Sequence, residues 1–231
     1  MRKLSSEMKT LIEEECRGKT QIRLTIGTFA DGEKTIQTFG ATGEVPNKNY
    51  VYEIGSNTKT ITASLLAKYI HERKMSLDDS ISKYVDGLDK DTYYPTLKRL
   101  ATHTAGYEPN LPLELGMALK LLFNLTFGSS ANKGILPPFQ LDEAKMRRLL
   151  RENRMRDKDY PYKYSNFGFA LLGYAIGVVS GRGYWDTMDD FLLNELKMTN
   201  SCTGLRSGEK EKLRGFDKKT GILATGTGAR I

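Results

Sequence analysis

The stretch Val51-Tyr52-Glu53-Ile54-Gly55-Ser56-Asn57-Thr58-Lys59-Thr60-Ile61-Thr62 decides how this chain is read. Residues 51–54 read as a short strand, Gly55 breaks it, and residues 60–70 carry the apolar spacing of a largely buried helix. Ser56 stands three residues before Lys59 at the start of that helix, which puts hydroxyl and amine one turn apart on one face. A serine with an amine beside it as proton acceptor makes an activated nucleophile. A helix N-terminus adds N–H groups and a positive dipole end, suited to a developing anion. The chemistry implied is serine acyl transfer.

Spacing alone does not single out this pair. Ser-x-x-Lys recurs at Ser6/Lys9, Ser80/Lys83, Ser130/Lys133 and Ser207/Lys210, and a chain rich in both residues produces solvated surface pairs of this kind by chance. Only at Ser56 does a strand end in glycine just before the serine, with a long apolar-striped helix just after the lysine.

On the N-terminal side, residues 5–17 have helical spacing. Residues 21–29 alternate as a strand, Asp31-Gly32 signals a hairpin turn, residues 34–39 return, and residues 40–49 read as loop. On the C-terminal side, short helices are expected at 80–84 and 96–102 and longer ones at 117–125, 141–154, 166–180 and 184–196. A loop rich in Gly, Ser, Asn and Pro covers 127–139, and the chain turns polar and Gly-rich after Thr203. The expectation is an α+β arrangement within one domain, 1–231: a sheet lobe and the nucleophile helix start over 20–60, a helical lobe over 61–200, and the start of a C-terminal segment over 201–231.

Composition narrows the class. A chain of 231 residues with 39% hydrophobic and 27% charged residues suits a globular protein, and no stretch approaches the roughly 20 apolar residues needed to span a bilayer. The start, Met1 to Lys9, has basic residues but no apolar segment. As it stands the sequence reads as cytoplasmic, or as periplasmic or extracellular if a leader was removed. The net charge of +7 has no nucleic-acid-binding motif beside it and reads as a solvated basic surface. Cys16 and Cys202 read as two lone thiols rather than a disulfide, and with two histidines a structural zinc site is not expected.

A second motif, Tyr162-Lys163-Tyr164-Ser165-Asn166-Phe167-Gly168, precedes the most apolar helix. Tyr164 and Asn166, two apart in a turn, can both face one cleft, the tyrosine as proton relay and the asparagine as hydrogen-bond partner. Asn166 could equally be the cap of the next helix.

The ordered set of Ser56-x-x-Lys59, His103-Thr104-Ala105-Gly106 and Tyr164-Ser165-Asn166 resembles the serine β-lactamase and penicillin-binding-protein superfamily. It looks most like the branch of class C β-lactamases, D-alanyl-D-alanine carboxypeptidases and esterases. Leu77-Asp78-Asp79 with Tyr84, Thr96 to Leu100, and Leu196 to Thr199 agree with it. The resemblance implies a β-lactamase/transpeptidase-like fold, an antiparallel sheet lobe plus a helical lobe. It implies Ser56 as acylated nucleophile, Lys59 as its base, Tyr164 as second proton-transfer group and Asn166 as orienter of substrate or of Lys59. The Ser56 N–H would be half of an oxyanion hole. His103 would tie a loop, with no chemical step. No cofactor is implied, and the substrate would be a β-lactam, a D-Ala-D-Ala peptide or an ester.

The sequence departs from the family pattern near its end. The family's third motif is Lys-Thr-Gly on a sheet strand. Lys219-Thr220-Gly221 matches the letters but reads as a surface turn after Gly215-Phe216-Asp217. The expectation is therefore an incomplete sheet, with the remainder on another chain or cleaved away, a truncated and inactive gene, or Lys219-Thr220-Gly221 serving in a shortened sheet. Two functions compete: a serine hydrolase working through an acyl-enzyme, and a non-catalytic protein that binds cell-wall peptides or β-lactams without turnover.

Overall fold

Asp31 and Gly32 both take positive φ, 54° and 79°, which is the twist a two-residue hairpin turn requires. The turn joins β1 (Leu24–Ala30) to β2 (Glu33–Gly40) in antiparallel register, from Leu24 opposite Phe39 to Ala30 opposite Glu33. The computed structural model describes residues 4–20, 22–47, 54–109, 143–199 and 201. These fall into two compact units, one within 4–47 and one within 54–201.

In the first unit a third strand, β3 (Gly43–Val45), pairs with β2, giving the order β1-β2-β3. The sequence reads as loop here because three residues are too few to show alternation. Helix α1 (Ser6–Cys16) is capped by Ser5, whose hydroxyl accepts the Met8 N–H. It packs on β2 and β3, so Leu4, Cys16 and Phe39 are buried together, with Ile12, Ile22 and Ile26 around them. Cys16 is a free thiol in that small core. The helix covers an apolar face that a three-stranded sheet would otherwise expose.

The second unit is helical. A single 3₁₀ turn, Gly55–Asn57, runs into α2 (Thr58–His71), and Gly55 enters it at φ 50°. A second 3₁₀ turn, Ile81–Lys83, and α3 (Leu97–Ala101) are drawn together by the pairing of Ser80 with Thr96 and by Leu97 N–H bonding to the Asp79 carbonyl at 2.9 Å. Then come α4 (Glu143–Glu152), α5 (Asn166–Ser180) and α6 (Tyr184–Asp190). The helix expected over 184–196 changes character at Phe191. It widens over Phe191–Glu195, where the Leu196 N–H reaches back five residues to the Phe191 carbonyl.

Helix α5 is the axis of this unit. Phe167, Leu171, Leu172, Ala175 and Ile176 are all buried, the pattern of a helix surrounded by others. It packs against α2, α3 and α6. Gly177 permits the approach of α6: a Cβ there would lie 2.7 Å from the Tyr184 backbone nitrogen. Tyr184 in turn sends its hydroxyl to Thr62 of α2 at 2.6 Å, a buried polar tie across the core. Among the described residues no helix is long and apolar enough to cross a membrane. Ile54, read as the end of a strand, instead takes helical backbone angles (φ −85°, ψ −5°) because it leads directly into the 3₁₀ turn; the rest of that expected strand, the helix at 117–125, the loop at 127–139, Cys202 and Lys219-Thr220-Gly221 lie outside the described residues.

Candidate active site

Three segments of the helical unit converge at the start of α2. The first is the Gly55–Asn57 turn with the first residues of α2. The second is the loop 103–109 after α3. The third is 162–166, the approach to α5. The last two run side by side. Lys163 N–H bonds to the His103 carbonyl at 2.8 Å, Ser165 N–H to His103 Nδ1 at 3.0 Å, and Asn166 N–H to the Pro109 carbonyl at 3.0 Å.

Ser165 caps α5, not Asn166. Its hydroxyl accepts the Gly168 N–H at 3.1 Å and donates to the Glu108 carbonyl at 3.0 Å. Ser165 is extended (φ −137°, ψ 119°), so its neighbours Tyr164 and Asn166 emerge on one side, as alternate residues of a strand do. The sequence reading of a turn is corrected accordingly: the cleft-facing pair is set by an extended residue followed directly by the first turn of α5.

Ser56 Oγ is the meeting point. Lys59 Nζ donates to it at 3.3 Å and the Tyr164 hydroxyl at 2.7 Å. Lys59 Nζ also donates to Asn166 Oδ1 at 2.7 Å. All four residues singled out in the sequence are thus brought together. Ser56 is exposed, whereas Lys59, Tyr164 and Asn166 are half-buried.

The charge around Ser56 is lopsided. The Lys59 ammonium lies 4.8 Å from the centre of the Tyr164 ring and 5.8 Å from that of Phe169. Burial pushes the Tyr164 phenol upward, but hydrogen bonds with Lys59 and Ser56 and the lysine charge outweigh it and hold the phenol below the ordinary tyrosine value. Burial, and then the Lys59 charge, push His103 below the ordinary histidine value.

Of two further residues at the site, His103 is read in the sequence as tying a loop and Phe169 is not read at all. His103 stacks under Tyr164, with ring centres 4.7 Å apart, and its own backbone is left-handed at φ 59°. Phe169 also meets the His103 ring, at 4.9 Å. Helical spacing could have found Phe169, since it lies three residues after Asn166 on the same face of α5.

A family model described as Beta-lactamase matches residues 25–221. Among curated proteins, the chain is similar to one named for fimbrial assembly, FimD of serogroup D in Dichelobacter nodosus. The two are 28% identical over 156 residues, 66% of this chain and 35% of that one. It is similar also to a beta-lactamase of Psychrobacter immobilis, 24% identical over 214 residues, 90% of this chain and 46% of that one. The chain thus spans less than half the length of either relative. Among solved structures, a class C beta lactamase from Rhodobacter sphaeroides superposes with a TM-score of 0.67 at 21% identity, over 94% of this chain and 57% of that one. The fold, a helical unit and an antiparallel sheet unit, is of the β-lactamase/transpeptidase type. With the family model matching residues 25–221, most of the chain, and the motif residues gathered at one hydroxyl, the chain belongs to the Beta-lactamase family.

Proposed function

We propose that this protein is a serine hydrolase that forms an acyl-enzyme on Ser56 from an amide, β-lactam or ester carbonyl. The observation that carries this reading is the double approach to Ser56 Oγ, by Lys59 Nζ at 3.3 Å and by the Tyr164 hydroxyl at 2.7 Å. Ser56 Oγ attacks the carbonyl carbon and its proton passes to one of these two neighbours. The lowered Tyr164 phenol favours loss of its proton to solvent, and the resulting phenolate, stabilised by the Lys59 ammonium beside it, is then the acceptor of the Ser56 proton. The tetrahedral oxyanion forms next to the Ser56 N–H. On collapse the leaving nitrogen or oxygen takes the proton back from Tyr164. Water, activated in the same way, then attacks the ester carbon and restores the Ser56 hydroxyl. Asn166 holds Lys59 by its amide oxygen and so fixes where the positive charge stands.

The substrate is proposed as a small molecule or peptide: a β-lactam, a D-Ala-D-Ala peptide or an ester. The β-lactamase name of one relative supports the first of these. Intact-protein mass spectrometry after exposure to a penicillin or a fluorophosphonate tests the reading. One adduct per chain that is absent in Ser56→Ala supports it; an adduct that persists in Ser56→Ala, or none at all, overturns it. Hydrolysis of an activated ester, lost in both Ser56→Ala and Lys59→Ala, excludes a protein that binds without turnover.

A further inference from the structure

The Tyr164 side chain meets Ser56 through its hydroxyl and Lys59 over its ring, and its position decides whether the proton can move. The residues on either side of it are both held by one histidine. The His103 carbonyl accepts the Lys163 N–H at 2.8 Å, and His103 Nδ1 accepts the Ser165 N–H at 3.0 Å. Tyr164 lies between these two grips, and its ring rests on the imidazole at 4.7 Å with a tilt of 36°. Phe169 from α5, at 4.9 Å, and Tyr162, edge-on at 5.7 Å, also meet the imidazole.

We propose that His103 is a positioning residue: its neutral imidazole clamps the 163–165 segment so that the Tyr164 hydroxyl stays on Ser56, and protonation of that imidazole opens the clamp. The consequence for acylation rests on the serine-hydrolase reading above; the clamp itself does not.

The chemistry of the bond requires one protonation state. A ring nitrogen that accepts an N–H carries a lone pair, so the proton of the neutral ring is on Nε2. The imidazolium has no acceptor nitrogen, and its Nδ1–H would face the Ser165 N–H. The titratable groups around the ring are Lys59 from α2, and Tyr162 and Tyr164 from the segment it clamps. The ion pair of Lys163 with Glu108 joins the two flanking segments. Burial and then the Lys59 charge both resist protonation, so the clamp opens below the ordinary histidine value rather than at it. The backbone decides which substitution the position tolerates. His103 is left-handed at φ 59°, which few residues other than glycine adopt, asparagine being one that does.

His103→Asn therefore keeps the backbone and offers Oδ1 as a fixed acceptor that does not titrate. The experiment follows the Ser165 amide and the Tyr164 ring by NMR between about pH 8 and pH 5. It also follows the rate of fluorophosphonate labelling of Ser56 over the same range. In the wild type both sets of signals are expected to move with a single midpoint below about 6.5, and labelling to slow by about tenfold or more across it. His103→Ala is expected to lose rate at every pH. His103→Asn is expected to recover much of that loss at neutral pH and to lack the acid-side fall. A Ser165 amide that stays still while the His103 ring titrates overturns the clamp, as does an acid-side fall unchanged in His103→Asn. If Ser56 is never labelled, the hydrolase reading fails, while the amide titration still decides for or against the clamp.

Discussion

Lys59 Nζ lies 2.7 Å from Asn166 Oδ1, joining residues 107 positions apart at the starts of α2 and α5. The bond fixes the ammonium over the Tyr164 ring, where its charge helps to lower the phenol. Asn166→Ala should leave the nucleophile in place and misplace the charge. Under the proposed mechanism kcat/KM for an activated ester falls by about 10²-fold, the cost of a small misplacement, with little change in thermal stability. Steady-state kinetics beside a melting curve checks both.

Tyr164→Phe removes one hydroxyl and leaves the stacking on His103. The expected loss in the rate of Ser56 acylation is about 10²–10⁴, the range of a general acid–base group. Stopped-flow labelling with a chromogenic acylating agent measures it. A rate equal to wild type would leave Lys59 as the only proton acceptor among the described groups at Ser56.

Gly106 has φ 86°, and a Cβ there would stand 2.8 Å from the Tyr160 ring. Both the backbone and the ring oppose any side chain. Gly106→Ala is expected to destabilise the helical unit by about 1–3 kcal/mol, measured by urea unfolding. The change also shifts the loop 103–109 that borders Ser56, so activity should fall with it.

Tyr184 and Thr62 share a buried hydrogen bond of 2.6 Å between α6 and α2. Burial pushes the Tyr184 phenol up to about 12, the bond with Thr62 opposing this in part. Tyr184→Phe leaves the Thr62 hydroxyl with its bond to the Thr58 carbonyl, so the expected cost is about 1 kcal/mol. A double-mutant cycle with Thr62→Val isolates the tie, because each change alone removes the same contact.

Asp79 gives the fold an acid-side limit. Burial raises its carboxyl, but bonds from the Tyr84 hydroxyl, the Lys83 ammonium and the Ser76 N–H outweigh burial and hold it below the ordinary aspartate value. A folded pKa below the unfolded one means stability that is present above about pH 4 and lost as pH falls through the folded value. Asp79→Asn is therefore expected to be less stable than wild type at neutral pH, with the gap closing as pH falls below the ordinary aspartate value and through the folded one, as read from melting temperatures against pH.

Much of the site was legible because its information is local. Ser56 and Lys59 needed only helical spacing and the glycine before them, and the motif order indicated the family. The helix over 166–180 was read to the residue, since its apolar run begins after the Tyr-Ser-Asn motif and is closed by Gly181, at φ 68°. The role of Ser165 was not legible: serine and asparagine are both good caps, and only the extended backbone at 165 chooses between them. His103 was seen as tying a loop, but that it grips both neighbours of Tyr164 depends on a left-handed backbone that no pattern announces. The widening of the chain at Phe191 was hidden for a similar reason, because a helix with an extra residue per turn keeps the same apolar composition.

Ser165 carries a further consequence for how this protein can change over time. Its hydroxyl starts α5 by accepting the Gly168 N–H, its N–H meets His103, and its extended shape aims Tyr164 and Asn166 toward Ser56. Under the proposed function, selection on folding and selection on reactivity fall on a single small side chain. A lineage released from the need for one has little room to preserve the other at that position, so loss of activity through residue 165 would be accompanied by loss of the folded population, and its reversal would have to restore both in one step.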